Sequence, residues 1–129
     1  MLALKTLAAA DERGATLIFD EVDAGIGGAV AEVVGRKLRQ LARSRQVLCI
    51  THLPLIAAFA DHHVVVTKKV EDGRTLSTAR PLATTERVAE LARMLGGERL
   101  TREVREHAEQ LLRRANGGHR GLTDSKGVE

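Results

Sequence analysis

The sequence has no tryptophan and no tyrosine, and Phe19 and Phe59 are its only aromatic side chains. With no aromatic platform for bases, it argues against a single-strand nucleic-acid module of the stacking kind. A core must be built from Leu, Val, Ile and Ala instead. Cys49 is the one cysteine, so no internal disulfide is available and an intracellular setting is expected. No apolar run reaches the roughly 20 residues that span a bilayer. Met1-Leu2-Ala3-Leu4-Lys5 lacks the layout of a signal peptide, and a cytoplasmic protein without a membrane partner is expected. No G-x-x-x-x-G-K-[ST] stretch occurs, so the phosphate-cradling loop and its lysine are missing. Charge of one sign is missing too. Lys and Arg number 20 against 17 Asp and Glu, for a net +3, a mildly basic surface and no strong nucleic-acid footprint. The 129 residues suit one domain or part of a larger one.

What is present centres on Thr16-Leu17-Ile18-Phe19-Asp20-Glu21-Val22-Asp23-Ala24-Gly25-Ile26-Gly27-Gly28. An apolar strand over residues 15–19 delivers Asp20 and Glu21 at its C-terminal end, the edge where open α/β sheets hold ligands. Acids there can hold Mg²⁺ and polarise a water. On the acids alone, a solvated acidic turn fits as well. The glycines do not make a dinucleotide fingerprint, because Gly25-Ile26-Gly27 is followed by Gly28-Ala29-Val30 and the third glycine of G-x-G-x-x-G is absent.

Residues 1–10 read as a helix without a capping residue, as though cut in its middle, and Asp11-Glu12-Arg13-Gly14 as a break. A helix is expected from about Ala29 to Ala42, with Val30, Val33, Val34, Leu38 and Leu41 as its apolar face. Its basic residues suit a solvated face near the negative end of the helix dipole. Gln46-Val47-Leu48-Cys49-Ile50 is a second strand. Strand, helix and strand make a parallel βαβ unit, which places Thr51-His52 on the same sheet edge as Asp20 and Glu21. Cys49 reads as a buried small hydrophobe.

A short helix follows from Leu53 to Ala60, with Pro54 in its first turn. Val64-Val65-Val66-Thr67 and Thr75 to Arg80 form a hairpin about Asp72-Gly73. Two helices end the fold. One, from about Thr85 to Leu95, buries Val88, Leu91, Ala92 and Leu95. The other is capped by Thr101 and buries Val104, Ala108, Leu111, Leu112 and Ala115. The domain is expected over 1–115, with a disordered tail over 116–129. His62-His63 are adjacent on an extended segment and point to opposite faces, so they do not chelate one ion. His107 and His119 have no visible partners. A lone histidine such as His52 is more often structural, but its place beside the acidic strand makes it a candidate to contact a phosphate or an attacking water.

Leu17-Ile18-Phe19-Asp20-Glu21 resembles the Walker B motif of ABC-type ATPases, Val22-Asp23-Ala24-Gly25-Ile26 the D-loop, and Ile50-Thr51-His52 the switch-histidine strand. The wording is closer still to the bacterial RecN family of SMC-like DNA-repair ATPases. Phe19 through Gly28, Thr51-His52-Leu53-Pro54, Ala57-Ala58, Ala60-Asp61-His62-His63 and Glu90-Leu91-Ala92-Arg93-Met94-Leu95-Gly96-Gly97 are all similar to it. Met1-Leu2-Ala3-Leu4-Lys5 resembles the middle of the helix after that family's signature motif. Leu55 departs, standing where a glutamine is expected. Leu95-Gly96-Gly97-Glu98 only echoes the signature, since it lacks the serine and ends a helix.

The resemblance implies an α/β fold: a partial P-loop NTPase head of ABC/SMC type with a parallel βαβ core, an added β-hairpin and C-terminal helices. It implies that Asp20 holds Mg²⁺, Glu21 activates water for ATP hydrolysis, Asp23 crosses a dimer interface and His52 senses the γ-phosphate. It also implies as partners a second ATPase head, an N-terminal half carrying the P-loop, and DNA at double-strand breaks, with the intact protein cytoplasmic and on the nucleoid. Two other readings stand beside it. One is a non-catalytic remnant or assembly half that docks on a separate P-loop chain. The other is a Mg²⁺-dependent phosphotransfer or nuclease fold using the acids directly.

Overall fold

The structure, a computed structural model, describes residues 14–20 and 27–117. The helix expected over 1–10, Glu21, Asp23 and the tail beyond Gly117 lie outside the described residues. The elements run β1 (Thr16–Asp20), α1 (Gly28–Leu41), β2 (Gln46–Ile50), α2 (Pro54–Ala57), β3 (Val64–Glu71), β4 (Arg74–Pro81), α3 (Thr84–Gly96) and α4 (Arg102–Gly117).

β1 and β2 pair in parallel, with Thr16 beside Gln46 and Asp20 beside Ile50. Side chains alternate along a strand, so the pair has two unlike faces. Leu17 and Phe19 are buried against Ala31, Val34 and Leu38 of α1, with Val47 and Cys49 packed beside them. Cys49 is half-buried, as a small hydrophobe at a core margin would be. Ile18, Leu48 and Ile50 on the other face are 65%, 50% and 59% exposed. An unbroken apolar run reads as buried on both sides, yet only one side is covered among the described residues.

α1 differs from its expected face. Val30 and Val33 are 41% and 45% exposed, whereas Ala31, Val34, Gly35 and Leu38 are buried. Small residues set the close approach here. A β-carbon placed on Gly35 would lie 2.5 Å from Cδ2 of the Phe59 ring, so the ring occupies the space of a missing side chain. Gly35→Ala therefore sets two effects against each other. Alanine in a helix interior gains about 1 kcal/mol over glycine, while overpacking a buried ring costs about 1–3 kcal/mol. The expected result is a net loss of about 1 kcal/mol in urea unfolding. A stabilised variant would show that the ring moves aside freely.

α2 is brief, but it serves two cores. Pro54 occupies its first turn and donates no hydrogen bond there. Ile56 joins the sheet core, and Ala57, Ala58 and Phe59 join a helical core with Leu91, Ala92, Ala108, Leu111 and Ala115. Tighter bonds from Phe59 N–H to the Ile56 carbonyl and from Ala60 N–H to that of Ala57 close it. Leu55, where the resemblance implies a glutamine, is partly buried and packs against both cores. Its apolar side chain fills a seam that a glutamine would have to enter with a polar end.

The hairpin forms as expected but is longer, with Glu71 beside Arg74 across a two-residue turn. Asp72 and Gly73 both have positive φ, 50° and 73°, as the favoured two-residue hairpin turn requires. Thr67 and Thr78 face each other and share a hydroxyl hydrogen bond of 2.6 Å. Among the described residues β3 and β4 form a sheet of their own, separate from β1 and β2.

The two C-terminal helices bury the expected stripes. Leu91 and Ala92 of α3 meet Ala108, Leu111 and Ala115 of α4, with Val88, Leu95, Val104 and Leu112 at the margins. The Glu86 carboxylate accepts a hydrogen bond of 2.8 Å from Ala83 N–H, closing the start of α3. Gly97 at φ 63° ends it, a conformation that favours glycine. Thr101 Oγ1 accepts from Val104 N–H at 3.3 Å, the expected cap of α4. The architecture is thus α/β: a parallel βαβ unit, a separate antiparallel hairpin and C-terminal helices.

Candidate functional site

The site begins at the C-terminal ends of β1 and β2. In-register pairing sets Asp20 beside Ile50, and the chain reaches His52 two residues later. Asp20 and His52 are both exposed, so this sheet edge presents an acid and an imidazole from adjacent strands. Thr51 shapes the exit from β2, its hydroxyl accepting a hydrogen bond from Leu53 N–H at 3.0 Å. This local turn, which threonine forms readily, sets where the chain carries His52 before Pro54 starts α2. The turn at Thr51 is not read from the sequence, although a threonine two places before the N-cap Leu53 is its usual signal.

Glu21 and Asp23 lie outside the described residues, so only Asp20 and His52 of the expected four are placed. Among the described residues no three His, Cys, Asp or Glu side chains gather as metal ligands. The donor set still suits the implied ion: an accessible carboxylate at a strand end is the hard oxygen ligand that Mg²⁺ prefers, alongside water and phosphate oxygens. Gly27 precedes α1 in extended conformation with φ −82° and leads the chain into the crossover helix.

A second ionisable cluster lies where α1, α2, α3 and α4 meet. Arg39 of α1 donates to the Ala115 carbonyl of α4 at 2.5 Å and sits 3.7 Å from Asp61. Arg87 of α3 donates to the Ala57 carbonyl of α2 at 3.2 Å. Burial lowers the Arg87 pKa; Asp61 opposes this, and Arg39 adds to it. His63 Nδ1 is buried without a hydrogen-bond partner. Burial foremost, and then Arg87, hold the His63 pKa below its ordinary 6.5, against the pull of Glu90. These contacts tie the helices together and lead to no ligand.

A pH dependence follows. With its folded pKa below 6.5, His63 takes up a proton on unfolding in the window just beneath that value. Stability is therefore full above it and falls as the pH drops through the window. His63→Gln should flatten this slope in urea titrations between about pH 7 and 5. An unchanged slope would assign the dependence to other groups.

Most arginines of the helices are answered by acids. Arg36 pairs with Glu32, Arg93 with Glu90, Arg102 with Glu106 and Arg113 with Glu109, and Arg114 of α4 reaches Glu32 of α1. These are exposed helix pairs of the ordinary kind, each contributing a few tenths of a kcal/mol. No helix among the described residues is long and apolar enough to cross a membrane.

No protein-family model matches the chain. The DNA repair protein RecN of Bacillus subtilis is 42% identical over 116 residues, 90% of this chain and 20% of that protein. That of Deinococcus radiodurans is 53% identical over 112 residues, 87% of this chain and 19% of that protein. That of Mycobacterium leprae is 50% identical over 112 residues, again 87% and 19%. The chain spans about a fifth of the length of the relatives it matches. At such identity over nearly all of its own length, the chain belongs to the RecN family, as a segment of it.

Proposed function

We propose that the chain is the C-terminal portion of a RecN-type ATPase head that serves DNA double-strand-break repair. The observation that carries this is the parallel, in-register pairing of β1 with β2, which puts Asp20 and His52 on one sheet edge. Asp20 is the residue to hold Mg²⁺. When bound, that ion would neutralise phosphate charge and organise water at the strand end. Glu21, next in sequence, orients and deprotonates the attacking water as general base. His52, from the neighbouring strand end, donates a hydrogen bond to the γ-phosphate as charge develops on it. Asp23 would face a second head across a dimer interface. The phosphate-cradling loop comes from outside this chain, as does DNA contact.

The chain alone is therefore expected to leave ATP intact. Turnover with ATP and Mg²⁺ should equal that of buffer. It should appear when the chain is combined with the part of the Deinococcus radiodurans protein outside the matched segment. Turnover by the chain alone that Glu21→Gln abolishes would overturn the reading. Metal-dependent DNA cleavage lost in Asp20→Ala would favour direct use of the acids instead.

A further inference from the structure

We propose that the β3–β4 hairpin is an arm hinged at His63, held closed while that imidazole is neutral and released when it takes up a proton. The hairpin is held at its base. Among the described residues neither β3 nor β4 puts a side chain into either core, and Val64, Val66, Val70 and Leu76 are each at least half exposed. His63 is the residue before β3, and its carbonyl accepts a hydrogen bond of 2.8 Å from Leu82 N–H, just past β4. One residue thus pins the ends of both strands. A second tie is the exposed pair of Arg80 with Glu86 of α3, at 2.9 Å. An isolated two-stranded hairpin is marginally stable at best in water, so an arm freed from its base also frays.

The seat of His63 suits only the neutral ring. The residue is half-buried, and among the described residues its buried Nδ1 has no hydrogen-bond partner. Arg87 and Glu90 of α3 face it. Arg87 is fixed there by its bond to the Ala57 carbonyl of α2, with its own Nε buried and unpartnered. Asp61 and Arg39 of α1 act on that guanidinium, and Glu90 is engaged by Arg93 at 2.6 Å. A proton makes both ring nitrogens N–H donors. Nδ1 then carries a charged donor toward no acceptor, beside a fixed cation, which is costly in a buried seat and cheap in water. Opening therefore takes up the proton. The closed arm is favoured fully above the window beneath 6.5 and loses ground as the pH falls through it. The second tie does not titrate there, because Ala83 N–H and Arg80 hold the Glu86 carboxyl below its ordinary range.

Amide hydrogen exchange of the full chain, followed by NMR over a low-urea series, tests the hinge. The Leu82 amide and those of the hairpin ladder are expected to be at least about ten-fold less protected than the amides of Leu91 and Leu111. Their urea dependence should also be smaller, because a local opening exposes less surface than global unfolding. From about pH 7.5 to about pH 5.5 the hairpin protection should fall about three- to ten-fold in wild type and in the control His62→Gln, and less than about two-fold in His63→Gln. Hairpin amides that share the protection and urea dependence of Leu91 would overturn the inference, since the arm would then open only with the whole chain. A pH response that Arg80→Gln abolishes would overturn it in favour of the second tie. Should His63→Gln not fold, wild type decides alone. Its His63 imidazole must titrate below 6.5, with hairpin protection falling over the same window, and protection that stays constant there would overturn the hinge.

Discussion

Leu91→Ala is expected to lower the free energy of unfolding by about 2–5 kcal/mol, in the upper half of that range. Leu91 is fully buried, at 0% exposure, in the core that joins α2, α3 and α4. The cost of such a truncation depends on how far the neighbours collapse into the space. Here many of them are alanines: Ala57, Ala58, Ala92, Ala108 and Ala115. Short side chains cannot swing inward, so the cavity stays open. The loss is a large share of the 5–15 kcal/mol that holds a typical domain together. Phe59 carries it further, because its ring belongs to the helical core while resting on Gly35 of α1. Both cores should therefore melt in one transition. Urea unfolding followed by circular dichroism measures the effect, with Val70→Ala, an exposed hairpin position, expected to change stability by no more than about 0.5 kcal/mol. A Leu91→Ala cost below about 1 kcal/mol would mean that the helices repack around the gap.

The same packing explains which parts of the fold were legible in the sequence. α3 and α4 were readable because each carries a single apolar stripe at helical spacing, from Val88 to Leu95 and from Val104 to Ala115. The hairpin was readable because Asp72-Gly73 admits the positive φ of its turn. α1 was misread on one side. Periodicity weighs Val30 and Val33 by their size, whereas the chain packs Ala31 and Gly35 inward because closeness matters more there than bulk. No local pattern announces that Phe59, two dozen residues later, fills the space at Gly35. The run from Thr16 to Phe19 hid the difference between its faces, since Ile18 is as apolar as Leu17 and Phe19. At the site, the shared edge of Asp20 and His52 followed from a strand, a crossover helix and a strand. The proposed division of work among Asp20, Glu21 and His52 rests on resemblance, because spacing alone cannot tell a metal ligand from a general base.

That division has a sharp kinetic consequence. In a head completed by a P-loop segment, Glu21→Gln is expected to lower ATP turnover by about 10²–10³-fold, within the range of a lost general base. Glutamine keeps the shape of the side chain and can still touch a water, but it takes no proton at neutral pH. In the proposed reading the loop that holds ATP in the ground state lies outside this chain, so ATP affinity should hold within about two-fold, and the loss should fall on the chemical step. Asp20→Ala should behave differently. It removes the hard oxygen donor, so the Mg²⁺ concentration for half-maximal turnover should rise at least about ten-fold. Mg²⁺ titrations of single-turnover hydrolysis separate the two. If Glu21→Gln instead moved the Mg²⁺ requirement while Asp20→Ala left it alone, the roles of the two acids would be exchanged. The geometry gives a reason to expect the order stated. Side chains alternate along a strand, so Asp20 projects to the same face as Ile18, which is open among the described residues and accessible to a hydrated cation.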